Sequence, residues 1–164
     1  RRMEARLVVA HLKSKRGDEA ENLARRVAQA QEVAALLTAP NSVALGDLND
    51  MLGSEPLAQF AGFTNLLDRY VAPADRYTYI YNGRSQAIDH IILSPGMETY
   101  LTGGQAVHAN ADFAEPLPGQ DGRVSDHDPL VARFLFRPSG LREAALGATW
   151  GMAFSAYHHF NRLK

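Results

Sequence analysis

The sequence predicts an α/β (α+β) fold in which helices pack on a mixed β-sheet. In the first half of the chain, short apolar runs flank one long segment with helical periodicity, as in a strand–helix–strand unit. In the second half, the turn signal Asn82-Gly83 separates two strand-like runs, as in a hairpin. With 46% hydrophobic and 21% charged residues among its 164, the chain is able to bury a core.

The first half is predicted to begin with a strand over 6–10, followed by a long helix. Asp18 is a good N-cap for this helix, and Glu21 three residues later makes a capping box. Apolar residues then recur near 3.6-residue spacing to about Leu37, and Pro40 ends the pattern. The other elements predicted in this half are a strand over 42–45 and a short helix over 55–60.

The second half is predicted to consist mainly of strands. Residues 77–81 are aromatic and β-branched, and residues 87–93 are placed to form the strand that returns from the Asn82-Gly83 turn. The remaining predicted elements are a strand around 105–109, a last strand over 130–136 and an Ala-rich helical tail over 139–164.

Composition excludes several kinds of site. The chain has no cysteine, so disulfide frameworks, thiolate nucleophiles and Cys-ligated metal sites are ruled out. No apolar run reaches the roughly 18 residues of a membrane-spanning helix, so no membrane span is expected, and no obligate protein partner is evident. The chain starts abruptly beside its first strand, which suggests a fragment that has lost any targeting signal.

The net charge of −1 also limits how the chain would hold a phosphodiester. A protein that binds nucleic acid by neutralising many phosphates usually carries a basic excess. The attraction to a phosphate must therefore be local, and a bound metal cation is its natural source.

Four polar clusters lie at the ends of predicted strands, where a sheet presents reactive groups. A turn explains each Asp and Asn taken singly, and a lone histidine is more often structural than functional. Asp89 is harder to dismiss, because burying a carboxylate in an apolar strand is costly without a partner. The four clusters are His11 with Lys13 and Lys15, Asp47 with Asn49, Asp89, and Ser125-Asp126-His127-Asp128-Pro129.

Phosphodiester hydrolysis accounts for all four clusters together. The reaction needs in-line attack by water and neutralisation of charge on the phosphate oxygens. Mg²⁺ or Mn²⁺ bound by carboxylate and amide oxygens supplies the neutralisation. A histidine held by a carboxylate accepts a proton from water or donates a hydrogen bond to the phosphate.

The order of these motifs resembles the endonuclease/exonuclease/phosphatase superfamily. The resemblance rests on His11-Leu12-Lys13-Ser14, Gly46-Asp47-Leu48-Asn49, Ile88-Asp89-His90-Ile91 and the Ser125–Pro129 motif. It implies a two-layered α/β sandwich of the deoxyribonuclease I type, incomplete at the N-terminus, with residues 1–138 as the C-terminal part of that domain. Finer features are similar to predicted bacterial extracellular nucleases, which slightly favours a secreted protein.

The resemblance implies a role for each site residue. Asp47 would contact the attacking water or the leaving group, with Asn49 orienting it. Asp126, together with Asp47 and Asn49, would bind Mg²⁺ (or Mn²⁺, with Ca²⁺ as a further candidate). His127 would contact the scissile phosphate or act as base, Asp89 would hold and polarise it, and His11 would stabilise charge on the phosphorus centre.

Two departures from the family pattern stand out. The N-terminal half of the family's domain, which supplies a metal-binding glutamate, has no counterpart here, and Ala10 stands where the nuclease branch often has asparagine. The chain by itself is therefore expected to bind metal weakly and to turn over slowly or not at all.

Substrate contacts and substrate class are less sharply defined. Lys13, Lys15 and Arg84 are candidates for a groove that binds the phosphate backbone. Tyr79 and Tyr81 share a strand face, where they pack in a core or stack on a base. The favoured function is a nuclease that cleaves DNA or RNA. The alternatives are a lipid-headgroup or small-molecule phosphodiesterase or phosphatase of the same fold, and a non-catalytic binding module.

Overall fold

The computed structural model describes residues 4–117, 119–120 and 122–136. Its central element is a four-stranded sheet with the strand order β1-β2-β6-β3. Strand β1 (Arg6–Val9) runs parallel to β2 (Ser42–Asp47), and helix α1 (Glu19–Leu36) connects them. The Asp18 side chain accepts a hydrogen bond from the backbone N–H of Glu21 at 3.0 Å, so the predicted N-cap is confirmed.

The other half of the sheet is antiparallel. Strand β6 (Asp89–Leu93) pairs with β2, and the two-residue β3 (Thr64–Asn65) pairs with the far edge of β6. Three short helices and a 3₁₀ turn connect the strands: α2 (Glu55–Ala58), α3 (Leu66–Tyr70), α4 (Pro95–Glu98) and the 3₁₀ turn Pro73–Asp75.

The predicted hairpin exists, but its returning strand is not the one expected. Strand β4 (Tyr79–Tyr81) pairs with β5 (Arg84–Gln86), not with residues 87–93. Asn82 and Gly83 both have positive φ, at 50° and 71°, so this two-residue turn places Arg84 directly opposite Tyr81. The apolar run from Asp89 instead enters the central sheet, where four of its five residues are buried.

The last two strands form a separate antiparallel pair. Strand β7 (Leu101–Ala106) pairs with β8 (Leu130–Phe134). The strand predicted around 105–109 thus begins four residues earlier, and the strand predicted over 130–136 ends two residues sooner. The predicted tail over 139–164 lies outside the described residues. Within those residues, no helix is long and apolar enough to cross a membrane.

Each face of the central sheet has its own core because side chains alternate along β2 and β6. Val43 and Leu45 face a cluster that includes Phe134 of β8, whereas Ala44 faces a cluster that includes Ala30 and Val33 of α1. The sheet therefore lies between helix α1 on one side and the β7–β8 pair on the other. The polar residues at the ends of β2 and β6 contribute to the candidate site.

Candidate active site

The ends of β2 and β6 bring two carboxylates together. Asp47 is the last residue of β2 and Asp89 the first of β6, and the register of the two strands places them directly opposite each other. Gly46 beside them has φ of 136°, and a Cβ at this position would lie 2.0 Å from the carbonyl oxygen of Ala10. Only glycine therefore lets the chain after β1 approach β2 so closely.

This close approach places His11 beside Asp47. The backbone N–H of Leu12 donates to the Asp47 carbonyl oxygen at 2.9 Å, which ties the two segments together. His11 Nε2 lies 3.5 Å from Asp47 Oδ2. Two of the sequence-predicted site residues, 36 positions apart in the chain, thus lie in direct contact.

Asn49 shapes the turn that presents Asp47. Its backbone N–H donates to Asp47 Oδ1 at 2.8 Å, and its φ is 52°. The Asn49 side-chain amide donates to Asp47 Oδ2 at 3.2 Å and to the Leu12 carbonyl oxygen at 3.0 Å. The ordinary turn expected of Gly-Asp-Leu-Asn is therefore real, and it holds the Asp47 carboxylate in place.

Asp89 and His127 form a hydrogen-bonded pair. His127 Nδ1 donates to Asp89 Oδ2 at 2.7 Å, since the carboxylate is an acceptor. The same oxygen accepts from Thr78 Oγ1 at 2.6 Å, and Thr78 is completely buried. Tyr79 packs its ring against the His127 imidazole with centroids 4.7 Å apart. The imidazole is thus fixed in orientation, with Nε2 as the ring nitrogen that does not bond to Asp89.

The pKa values of Asp47 and His127 are both raised. Burial, followed by the negative charge of Asp89, raises the pKa of Asp47 to about 6. Burial alone would lower the pKa of His127, but the hydrogen bond and the charge of Asp89 outweigh it and raise the pKa above its ordinary value. Both shifts favour the protonated forms of these groups, and perturbed pKa values of this kind are typical of acid–base sites.

The cluster also suits a divalent cation by its donor chemistry. One ligand atom each from Asp47, Asp89 and His127 lies within 4.8 Å of the others. Burial first and the negative charge of Asp89 second raise the pKa of Asp47, and a bound cation would favour its ionised form. Asp89 and His127 are hydrogen-bonded to each other, however. Asp47 is therefore the member of this trio that is not engaged in that hydrogen bond. Asp126, the predicted ligand, lies outside the trio and is exposed.

A polar cleft of about 790 Å³ opens on this cluster. Five sequence-predicted residues line it: His11, Asp47, Asn49, Asp126 and His127. The three predicted substrate-binding cations are not among its lining residues. Lys15 is instead paired with Asp50 at 3.0 Å, and Arg84 lies exposed on the β4–β5 hairpin.

Sequence reasoning missed three residues of the site: Thr78, Arg16 and Arg123. Thr78 stands between Tyr77 and Tyr79, and nothing in the sequence marks it as a partner of Asp89. Arg16 and Arg123 line the cleft, whereas the sequence favoured Lys13, Lys15 and Arg84. No local signal distinguishes these two arginines from other surface cations.

A second Asp–His pair supports the segment that carries His127. The buried Asp128 carboxylate accepts hydrogen bonds from the backbone N–H groups of residues 109, 110 and 111. Its other oxygen lies 2.9 Å from His108 Nδ1. Asn110 in turn donates to the His127 carbonyl oxygen at 2.8 Å. His108 and Asn110, which resemble metal ligands by composition, thus hold the loop instead.

Comparison with known proteins shows the family of the chain. The model of the Endonuclease/Exonuclease/phosphatase family matches residues 15–127. The chain belongs to this family. No curated protein matches the sequence.

Solved structures with the fold of this family resemble the chain. The 3' phosphatase NExo from Neisseria, bound to a product DNA hairpin, superposes with a TM-score of 0.59 and 19% identity, over 79% of this chain and 61% of that one. A mannosyl-6-phosphatase from Bacteroides thetaiotaomicron superposes with a TM-score of 0.52 and 16% identity, over 79% of this chain and 51% of that one. An endonuclease/exonuclease/phosphatase family protein from the same organism superposes with a TM-score of 0.53 and 17% identity, over 77% of this chain and 47% of that one.

At these identities the likeness establishes the fold, which is of the deoxyribonuclease I type as the sequence predicted. The chain spans between 47% and 61% of the length of these three proteins. The family consists of hydrolases, and its members among the structural neighbours act on phosphate esters by name.

Proposed function

We propose that the chain carries the acid–base half of a divalent-metal-dependent phosphodiester hydrolase, most readily a nuclease. The observation that carries the proposal is the chain of hydrogen bonds from Thr78 through Asp89 to His127, next to the buried Asp47 carboxylate. A partly buried carboxylate that orients an imidazole beside a second carboxylate of raised pKa is typical of a site that moves protons.

The protein's own residues have distinct tasks in this reaction. Asp89 accepts a hydrogen bond from Nδ1–H of His127, which leaves the unprotonated Nε2 to remove a proton from the attacking water. As the water oxygen bonds to phosphorus, the bond to the leaving oxygen breaks. Asp47 and Asn49 orient the attacking water, and His11 stabilises the negative charge that gathers on the phosphate oxygens. A divalent cation held by Asp47, Asn49 and Asp126 would neutralise charge on the phosphate.

The proton balance gives this mechanism a pH dependence. His127 must be neutral to accept a proton, and its pKa is raised, so the rate rises with pH through that pKa. Asp47 has a pKa of about 6 and must be ionised to orient water or hold a cation. Activity is therefore expected to be low in mild acid and to reach its plateau above neutral pH.

Nucleic acid is the proposed substrate. The Neisseria neighbour holds a DNA hairpin product, and the stacked rings of Tyr79 and Tyr81 lead from His127 to the surface. Aromatic rings next to a phosphate site suit the bases of a single strand. The proposed localisation outside a bacterial cell rests on the sequence resemblance alone.

A small-molecule or lipid-headgroup phosphate ester is the second candidate. It is favoured by the net charge of −1, which offers no broad basic surface, and by the Bacteroides neighbour that acts on a sugar phosphate. A binding module without catalysis is disfavoured because His11, Asp47, Asn49, Asp89 and His127 are all present and close together.

Hydrolysis assays distinguish these functions. Supercoiled plasmid and bis-p-nitrophenyl phosphate are incubated with Mg²⁺, Mn²⁺ or EDTA, using the 164-residue chain and the full open reading frame that contains it. Metal-dependent nicking that is lost in His127→Ala, with an unchanged melting temperature, supports the nuclease. Cleavage of the small diester alone favours the second candidate. No turnover of either substrate by the full-length protein refutes the proposed function.

A further inference from the structure

Two arginines in the cleft differ from most other cations of the protein. Among the described residues, five basic side chains are ion-paired with carboxylates: Lys15, Arg25, Arg26, Arg69 and Arg76. Arg16 and Arg123 line the cleft, and neither makes a salt bridge to a carboxylate within the described part of the chain. Among the described residues these two charges therefore have no paired carboxylate, although Asp47, Glu115 and Asp126 line the same cleft.

The loop that carries Arg16 is held without using its guanidinium group. The buried Asn22 side chain donates to the Arg16 carbonyl oxygen at 2.8 Å. Arg26, which is fully buried, binds Asp50 at 3.0 Å and also donates to the Lys13 carbonyl oxygen at 3.4 Å. A buried arginine and a buried asparagine on one helix thus fix a surface loop. The guanidinium group of Arg16 takes no part in these contacts.

Arg123 approaches the cleft from the other end of the sequence. Val124 beside it donates its backbone N–H to Asn110 Oδ1 at 3.4 Å, and the His127 N–H donates to Ser125 Oγ at 3.0 Å. These contacts fix the segment between Arg123 and His127. The guanidinium group is therefore carried on the same short segment as the imidazole.

Both arginines share the cleft with the histidine of the Asp89–His127 pair. Arg16, Arg123 and His127 all line it. Burial and the charge of Asp126 raise the pKa of Tyr79, whereas the charges of Arg16 and Arg123 act to lower it. Tyr79 packs directly on His127, with ring centroids 4.7 Å apart.

We propose that Arg16 and Arg123 bind a second phosphate group of the substrate, next to the phosphate that is hydrolysed. This inference rests on the proposed function. It narrows the substrate class to molecules that carry two neighbouring phosphates, and a polynucleotide strand supplies both. Guanidinium groups suit this role because their planar N–H donors match phosphate oxygens. A cleft of about 790 Å³ has room for more than one phosphate group.

The kinetic test compares TpT, which has one phosphate, with TpTpT, which has two. Arg16→Gln and Arg123→Gln are expected to lower kcat/KM on TpTpT by about 10-fold each, mainly through KM, and to leave TpT unchanged. Arg133→Gln is the matched control, because it removes the same charge from an exposed residue of β8 outside the cleft. Equal losses on both substrates, or no loss on either, overturn the proposal.

A binding test decides the matter even if no turnover is found. Fluorescent TpTpT is titrated into the protein in EDTA, and anisotropy gives the Kd for the wild type and the three variants. Weaker binding by the two cleft variants alone supports the second phosphate site, and equal Kd values refute it. A sugar bisphosphate that displaces the probe more tightly than unlabelled TpTpT assigns the site to a small molecule and overturns the polynucleotide assignment.

Discussion

Replacing Asp47 by Asn is expected to stabilise the metal-free protein while removing its activity. Asp47 is 6% exposed, and its pKa of about 6 lies above the ordinary value of 3.8 for an aspartate. This difference corresponds to about 3 kcal/mol of unfavourable free energy for the ionised, folded state. Asparagine has nearly the same shape but no charge, so this cost disappears.

The net gain is smaller, because the substitution also weakens a hydrogen bond. The Asn49 amide donates to Asp47 Oδ2 at 3.2 Å, and losing this bond costs about 1 kcal/mol. The free energy of unfolding should therefore rise by about 2 kcal/mol at pH 8.

The sign of the pH dependence identifies the cause. Because the folded-state pKa of Asp47 is raised, its contribution to stability is fully present below pH 3.8 and is lost as pH rises through about 6. Asparagine has no such dependence. The gain from Asp47→Asn should thus be about 2 kcal/mol larger at pH 8 than at pH 4.5.

Urea unfolding in EDTA at the two pH values measures this difference. Asp126→Asn serves as the control, since it removes an exposed carboxylate from the same cleft and should change stability little at either pH. An effect of Asp47→Asn that is the same at both pH values, or a loss of stability at pH 8, would show that burial and Asp89 do not raise the pKa of Asp47.

Substitutions at three further positions test the rest of the site. Asp89→Asn should lower the His127 pKa, seen by NMR titration, and reduce kcat by about 100-fold; an unchanged His127 pKa would contradict the pairing. Thr78→Val should reduce kcat by about 10-fold and displace the pH–rate profile, because it removes the hydroxyl that donates to Asp89. Thr78→Ser keeps that hydroxyl and should behave like the wild type. A serine variant as slow as the valine variant would show that packing, and not the hydrogen bond, matters at this position. Gly46→Ala should destabilise the fold by about 3 kcal/mol or more, since its Cβ would meet the Ala10 carbonyl oxygen at 2.0 Å; a melting temperature equal to wild type would refute that close approach.

Local chemistry explains which elements were predictable. The capped start of α1 and the strand β2 depend on residues near in sequence, and both were predicted to within about two residues. The hairpin turn at Asn82-Gly83 was also predicted correctly. Its returning strand was wrong because the pairing partner of Asp89–Leu93 is β2, more than 40 residues away, and no local pattern distinguishes the two partners.

The site shows the same division. The sequence by itself predicted the family, the fold and the six polar residues that line the cleft or orient its histidine, because these residues stand in short motifs at strand ends. Only the tertiary structure decided that Lys15 is paired with Asp50, that Thr78 donates to Asp89, and that Arg16 and Arg123 face the same cleft. These contacts join segments far apart in the chain, and which charges are neutralised is known only once the partners are brought together.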